Sequence, residues 1–308
     1  MSSAFLVFFL MVVFGSMISI SSGHWVLCWT GMELAFLGLL PFLLMGKGSL
    51  NSEYAFKYFA VQAAASVMLF IAGSMMFIFL VINAYFSLLF LFSVCVKLGI
   101  FPGHFWVMSI LTAFEYPACF LLLVPMKIPS LFFLYLYFNT TSFMCDLFLA
   151  TAGLSALVGA LLGINQTSIR GVLEASSISH SGWLGVSVIS GKMTQYFLVY
   201  SFTTLILLFF LFLGHSFMAA VTMLSLGGLP PFLMFIAKYN VVSGAIYSGN
   251  HLTFLILPIL GSALSMVFYL KFSYNLFLSP KSVLVPSVVS VVTSSVFLIF
   301  VGVLLLMW

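Results

Sequence analysis

Four ionisable side chains, Glu33, Lys97, Lys127 and Lys238, stand inside long apolar stretches of this sequence. At the centre of a membrane helix a Lys or Asp costs about 2.5–3.5 kcal/mol on an insertion scale, and Glu is of the same kind. Four such groups therefore ask for about 10–14 kcal/mol of compensation. Leu or Phe would fill a membrane without that cost. Ionisable residues in such segments face a bundle interior and mark an ion or proton path. Lysine suits proton movement in a dry interior, because desolvation disfavours its charged form and a nearby carboxylate favours it. A Lys that gains and loses a Glu partner thus alternates between holding and releasing a proton. Arginine stays protonated and could not. Glu33, in the run Trp29-Thr-Gly-Met-Glu33, is the carboxylate suited to Lys97, and Gly31 allows another helix to approach closely. The bland alternative for the pair is a static ion pair fixing helix register.

A second polar cluster runs from Gly163 to Trp183. On a helix starting near 168, Arg170, Glu174, Ser177 and Ser181 share one face, with His180 three residues beyond Ser177. A polar stripe on a membrane helix turns inward. With an unperturbed pKa of about 6.5, His180 suits a relay; its plainer role is a packing histidine bonded to a hydroxyl. Spacing gives no support to a Ser/His nucleophile. Cys28, Cys95, Cys119 and Cys145 lie in apolar surroundings without a CxxC, so neither a metal site nor an iron–sulfur cluster is expected, and no cofactor.

These residues need apolar elements to hold them. Of 308 residues, 64% are hydrophobic and 5% charged, against about 25% charged in soluble domains. Apolar runs of helical spanning length recur from end to end, and runs such as 75–81 and 205–213 lack the alternation of a strand barrel. The fold class is therefore all-α and polytopic, a membrane protein of ten to twelve transmembrane helices forming a single transmembrane domain, 1–308. Spans are expected near 3–22, 24–45, 55–82, 84–100, 104–124, 126–138, 145–164, 169–190, 194–214, 217–247, 250–275 and 284–308, with polar connections at 46–57 and 279–285. The opening MSSAFLVFFL has no basic residue before its apolar run, unlike a secretory or transit signal, so it reads as the first membrane helix. Lys47 and Lys57, and Lys271 and Lys281, flank connections that belong on the negative side of the membrane, while Trp25 and Trp308 fit interfacial anchors. The net charge of +4 is spread out, without the basic run of a nucleic-acid binder.

Two apolar segments carry helix-breaking chemistry: Lys97-Leu-Gly-Ile-Phe-Pro102-Gly103-His104-Phe-Trp106, and Leu226-Gly-Gly-Leu-Pro230-Pro231 leading to Lys238. Proline removes a donor and clashes with the preceding turn. Irregular backbone at membrane depth survives only where protein or a cavity satisfies the freed groups, and interrupted segments point to a transporter's ion path. Two discontinuous helices are expected, each with a Lys close by. Gly159 and Gly163 form a GxxxG that serves close helix packing.

In order along the chain stand Ser22-Gly-His24-Trp25, Trp29-Thr-Gly-Met-Glu33, Lys57-Tyr-Phe, Gln62-Ala, Lys97-Leu-Gly, Pro102-Gly-His104-Phe-Trp106, Lys127-Ile-Pro129, Gly163-Ile-Asn165-Gln-Thr167, Arg170, Ser176-Ser-Ile-Ser-His180-Ser-Gly-Trp183, and Leu224-Ser-Leu-Gly-Gly-Leu-Pro-Pro-Phe before Lys238. Together they resemble the NADH–ubiquinone oxidoreductase chain 2 family, antiporter-like membrane subunits of respiratory complex I. The resemblance covers about 22–239; beyond it only hydrophobicity and length match. It implies an antiporter-like bundle in the mitochondrial inner membrane, without a cofactor of its own. Its partners would be the lipid bilayer and other membrane subunits of complex I, with no direct quinone or NADH binding. By family position Glu33 and Lys97 correspond to the Glu/Lys pair, Lys127 to the central-axis Lys, and Lys238 to the Lys after the second broken helix. The sequence departs from the family where Pro125-Met126 replaces Trp-Gln, Gly171 replaces the Lys after Arg170, Gly103 replaces Phe, and Glu174 has no usual counterpart.

The leading expectation is a core membrane subunit of the proton-pumping NADH:ubiquinone oxidoreductase, contributing Glu, Lys and His residues to proton translocation coupled to electron transfer in other subunits. The alternatives are a subunit of a bacterial multi-subunit cation/proton antiporter, and a purely structural membrane subunit whose charges lock helices together.

Overall fold

Apolar side chains on most faces leave the backbone no partner but itself, so these segments close their own hydrogen bonds as helices. The computed structural model describes residues 3–44, 49–81, 83–140, 144–230, 232–247 and 252–278, and every regular element among them is helical. In chain order α1 is Ser3–Ser21, α2 Trp25–Leu44, α3 Ser49–Gly73 with a π-helical turn at Ser74–Ile78, and α4 Ala84–Leu98. Then follow α5 Val107–Ile110, α6 Tyr116–Leu123, α7 Lys127–Thr140, α8 Cys145–Ile164 and α9 Ile169–Ile189. The rest are α10 Met193–Leu213, α11 Ser216–Gly227, α12 Leu233–Tyr247 and α13 Ile256–Leu278, the last entered through a 3-10 turn at Leu252–Leu255. Among the described residues six segments are long and apolar enough to cross a membrane, and four shorter apolar helices accompany them. Large apolar side chains such as Leu6, Phe14, Leu37, Phe212 and Leu270 point outward, as a lipid-facing surface requires.

Several boundaries differ from the sequence reading. The polar stretch 46–57 is helical from Ser49, where Glu53 and Lys57 form a one-turn ion pair at 2.6 Å that favours helix over loop. The span expected at 104–124 is two short helices, because Glu115 stands extended at the start of α6 and Pro117 enters its first turn. Lys271 lies within α13 rather than beside a loop. Trp25 is buried against Phe70, Phe77 and Phe133, so it packs inside the bundle and is no interfacial anchor. The connection at 279–285 and the last span, with Lys281 and Trp308, lie outside the described residues, as does Lys47.

The chain forms two compact units, Met1–Ser155 and Ala156–Trp308. In the first, α1 and α2 meet through small residues. A Cβ on Gly31 would stand 2.7 Å from the Ser19 nitrogen, and one on Gly15 would strike the Ala35 backbone. This is the close approach expected of Gly31, two residues before Glu33. In the second unit α9 is buried on all sides from Gly171 to Val188, with α10, α12 and α13 packed around it. A helix this rich in Ser is tolerable there because protein, not lipid, surrounds it; Ser176, Ser177, Ser179 and Ser181 each donate to a carbonyl three residues back. The GxxxG glycines close this packing: Gly159 meets α9 at Ala175 and Ser179, and Gly163 meets Phe268 on α13. A Cβ on Gly159 would come 2.6 Å from the Ser179 nitrogen. Gly159→Leu should therefore destabilise the unit by about 1–3 kcal/mol or more through overpacking, measured as a lower level of folded chain in membranes at raised temperature.

Candidate functional site

Lys97 reaches its partner because α4 ends just beyond it. Gly99 takes a left-handed φ of 70°, and the chain stops the helix with Ile100 N–H donating to Cys95 C=O at 2.9 Å and Gly99 N–H to Val96 C=O at 3.2 Å. The turns at 101–106 then fold back, and the Trp106 indole donates to the same Val96 carbonyl at 2.8 Å. Gly103 lies on the Val96 backbone, where a Cβ would stand 2.6 Å from its Cα. A phenylalanine could not occupy that place in this backbone, which accounts for the departure from the family pattern. Beside this first break Lys97 Nζ donates to Glu33 Oε1 at 2.9 Å. The Lys97 side chain is 4% exposed and that of Glu33 20%. The pair expected from sequence thus exists, with its carboxylate the more exposed partner.

Tyr58 completes this locus. It is fully buried, interacts electrostatically with Glu33, and packs its ring between Phe36 and Trp106. Sequence reasoning gave it no role.

Lys127 is buried at the first position of α7. A helix from α6 into α7 is interrupted at 124–126, where Pro125 offers no N–H. The bonds change register around it: Met126 N–H reaches back to Leu121 C=O at 3.4 Å, and Lys127 N–H to Val124 C=O at 3.1 Å. The Pro125-Met126 departure thus produces a third interruption, and it too adjoins a buried lysine.

In the second unit α11 stops at Gly227, with Gly228 left-handed at φ 81°. The end of a helix exposes unpaired carbonyls and the negative end of its dipole. Lys238, on α12 and 9% exposed, donates from Nζ to the Gly227 carbonyl at 3.0 Å and lies 5.9 Å from the Trp183 ring centroid. Ammonium, helix end and indole face are mutually favourable.

His180 sits one turn before Trp183 on α9 and is 2% exposed. Its Nδ1 meets the Tyr196 hydroxyl of α10 at 2.9 Å, and its Nε2 the Tyr269 hydroxyl of α13 at 3.2 Å. Tyr196 stacks on Trp183, and the Tyr269 ring lies against Gly227. His180 and Lys238 therefore belong to one cluster, joined by three aromatic residues of which sequence reasoning singled out none for a role. Glu174 is buried on the same helix one and a half turns before His180, and Arg170 is half-buried. The first unit holds Glu33, Lys97 and Lys127; the second holds His180 and Lys238.

The family described as NADH:quinone oxidoreductase/Mrp antiporter, TM matches residues 22–220. Among curated proteins the chain is similar to NADH-ubiquinone oxidoreductase chain 2 of Albinaria caerulea, 34% identical over 272 residues that cover 88% of this chain and 89% of that one. Among solved structures it is similar to a chain of respiratory complex I from Thermus thermophilus, with a TM-score of 0.78 and 21% identity, covering 99% of this chain and 77% of that chain. A chain of the Mrp complex from Dietzia sp. gives a TM-score of 0.79 at 17% identity, covering 88% of this chain but only 60% of that one. At such identities the structural likeness is one of fold.

Proposed function

We propose, because this chain belongs to the NADH:quinone oxidoreductase/Mrp antiporter family and within it to the NADH-ubiquinone oxidoreductase chain 2 group, that Glu33, Lys97, Lys127, His180 and Lys238 carry protons through it. The chain is a core membrane subunit of the H+-translocating NADH:ubiquinone oxidoreductase, multi-pass in the mitochondrial inner membrane, with the other membrane subunits of complex I and the lipid bilayer as partners. Electron transfer takes place in other subunits. In this reading residues 1–308 act as one transmembrane domain, and α8, whose residues fall on both sides of the division at 155, favours it.

The single observation that supports the proton role is that Lys97, Lys127 and Lys238 each adjoin an interrupted helix while buried. A group that only locks helices has no need of local irregularity, whereas a group that exchanges protons needs neighbours able to accept and release its bonds. Moving one proton against about 100 mV takes roughly 2.3 kcal/mol, which is within what a change of partner at a buried ammonium can supply. The antiporter alternative draws on fold likeness to the Mrp chain and on a family description that names both groups, whereas the chain 2 group matches in sequence over most of both proteins.

Lys127→Met is the test. Assembled complex should form at near-normal level, with proton translocation coupled to NADH oxidation falling about tenfold or more, as for loss of a proton-transfer group. Native electrophoresis measures the first and proton uptake by sealed vesicles the second. Undiminished translocation would leave the chain a scaffold.

A further inference from the structure

His180 is held by one phenol on each ring nitrogen, and the two phenols come from different helices, Tyr196 from α10 and Tyr269 from α13. A neutral imidazole offers one donor and one acceptor, and a phenol hydroxyl can do both at once. Such a sequence of groups has a direction that can be reversed: proton in at one end, proton out at the other. The base of the Tyr269 ring, at Cβ, Cγ and Cδ2, packs against Gly227, whose carbonyl holds Lys238 Nζ at 3.0 Å. At the other end Tyr196 is stacked on Trp183, whose indole also faces Lys238. All four hydrogen-bonding side chains are buried, so bulk water does not compete for these bonds.

We infer that Tyr196 and Tyr269 are proton-relay residues that pass a proton through His180 toward Lys238. This rests on the proton-translocating role proposed above. In the transfer a protonated water gives its proton to Tyr196 Oη while that phenol's own proton moves to His180 Nδ1. The Nε2 proton moves to Tyr269 Oη, and the phenol proton of Tyr269 leaves to a water on the way to Lys238. One proton enters and one leaves. Each O–H broken is replaced, the N–H moves from Nε2 to Nδ1, and neither phenolate nor imidazolium remains. Rotation of the two hydroxyls and return of the imidazole to its first tautomer reset the relay.

The relay is tested in assembled complex in sealed vesicles carrying Tyr196→Phe or Tyr269→Phe, beside wild type and Lys127→Met. Each Phe keeps the ring and its stacking and removes only the hydroxyl. The expected result is normal assembly with coupled proton translocation lowered about tenfold, and a larger solvent deuterium isotope effect on NADH oxidation than in wild type. A purely structural hydroxyl would not change the isotope effect. Wild-type translocation and isotope effect in both Phe variants, with Lys127→Met inactive, would overturn the relay and leave the proton role standing. Normal translocation in Lys127→Met would instead remove the proton role itself, and the relay with it. Failure of both Phe variants to assemble would also overturn the relay, since the hydroxyls would then be structural.

Discussion

Complexes carrying Lys97→Met are expected to lose coupled proton translocation and to assemble poorly, whereas Glu33→Gln with Lys97→Met should recover assembly alone. The reason is an asymmetry of burial. Lys97 and Glu33 meet at 2.9 Å, and removing one partner leaves the other uncompensated in a largely apolar place. Breaking a buried pair in this way costs about 3–5 kcal/mol, while removing both charges costs much less and can be neutral. The partial exposure of Glu33 lowers the cost of stranding it below that of a fully buried carboxylate. Proton exchange between the two groups needs both, so the double variant should remain about tenfold or more below wild type in translocation. The two readings of the pair separate here: a static register-fixing pair predicts that the double variant translocates normally once it assembles. Measuring native-gel level and proton uptake on the same vesicles decides between them.

The charged positions were legible because cost makes them so. Glu33, Lys97, Lys127 and Lys238 are expensive wherever they stand in apolar sequence, and the Pro and Gly residues near two of them announce interruption in the sequence itself. The same argument places a boundary at Pro125, dividing the spans expected at 104–124 and 126–138, and the structure interrupts the helix there. The polar composition of 46–57 hides the helix that starts at Ser49, although the one-turn spacing of Glu53 and Lys57 favours it. His180 was visible but its partners were not. Twelve tyrosines in an apolar chain look alike one by one, since a Tyr serves equally as packing and as an interfacial anchor. What singles out Tyr196 and Tyr269 is that α10 and α13 bring their hydroxyls to opposite edges of one imidazole, 16 and 89 residues from it in sequence. Tyr58 is similar, brought by α3 against Phe36 of α2 and Trp106 beyond α4. Buried charge carries its own signal; a buried hydroxyl acquires meaning only from tertiary neighbours.

At Lys238 the test uses arginine. Lys238→Arg should leave the complex assembled and abolish most of its coupled translocation, about tenfold or more below wild type. The ammonium of Lys238 serves two purposes. It caps the Gly227 carbonyl at the end of α11, a place where a cation complements the helix dipole, and in the proposed role it gives up its proton and recovers it. A guanidinium can do the first, since it donates readily to carbonyls and faces an indole such as Trp183 favourably, but it stays protonated under all working conditions. Lys238→Gln is the complement: it keeps a neutral donor for Gly227 and has no proton to cycle, so it should also assemble and also fail to translocate. Lys238→Met removes the donor as well, leaving the end of α11 uncapped, and should cost about 1–3 kcal/mol of stability besides. If the cap were the whole purpose, Arg and Gln would both translocate as wild type and only Met would be impaired. Loss in all three, with assembly impaired only in Met, separates holding the broken helix from moving the proton.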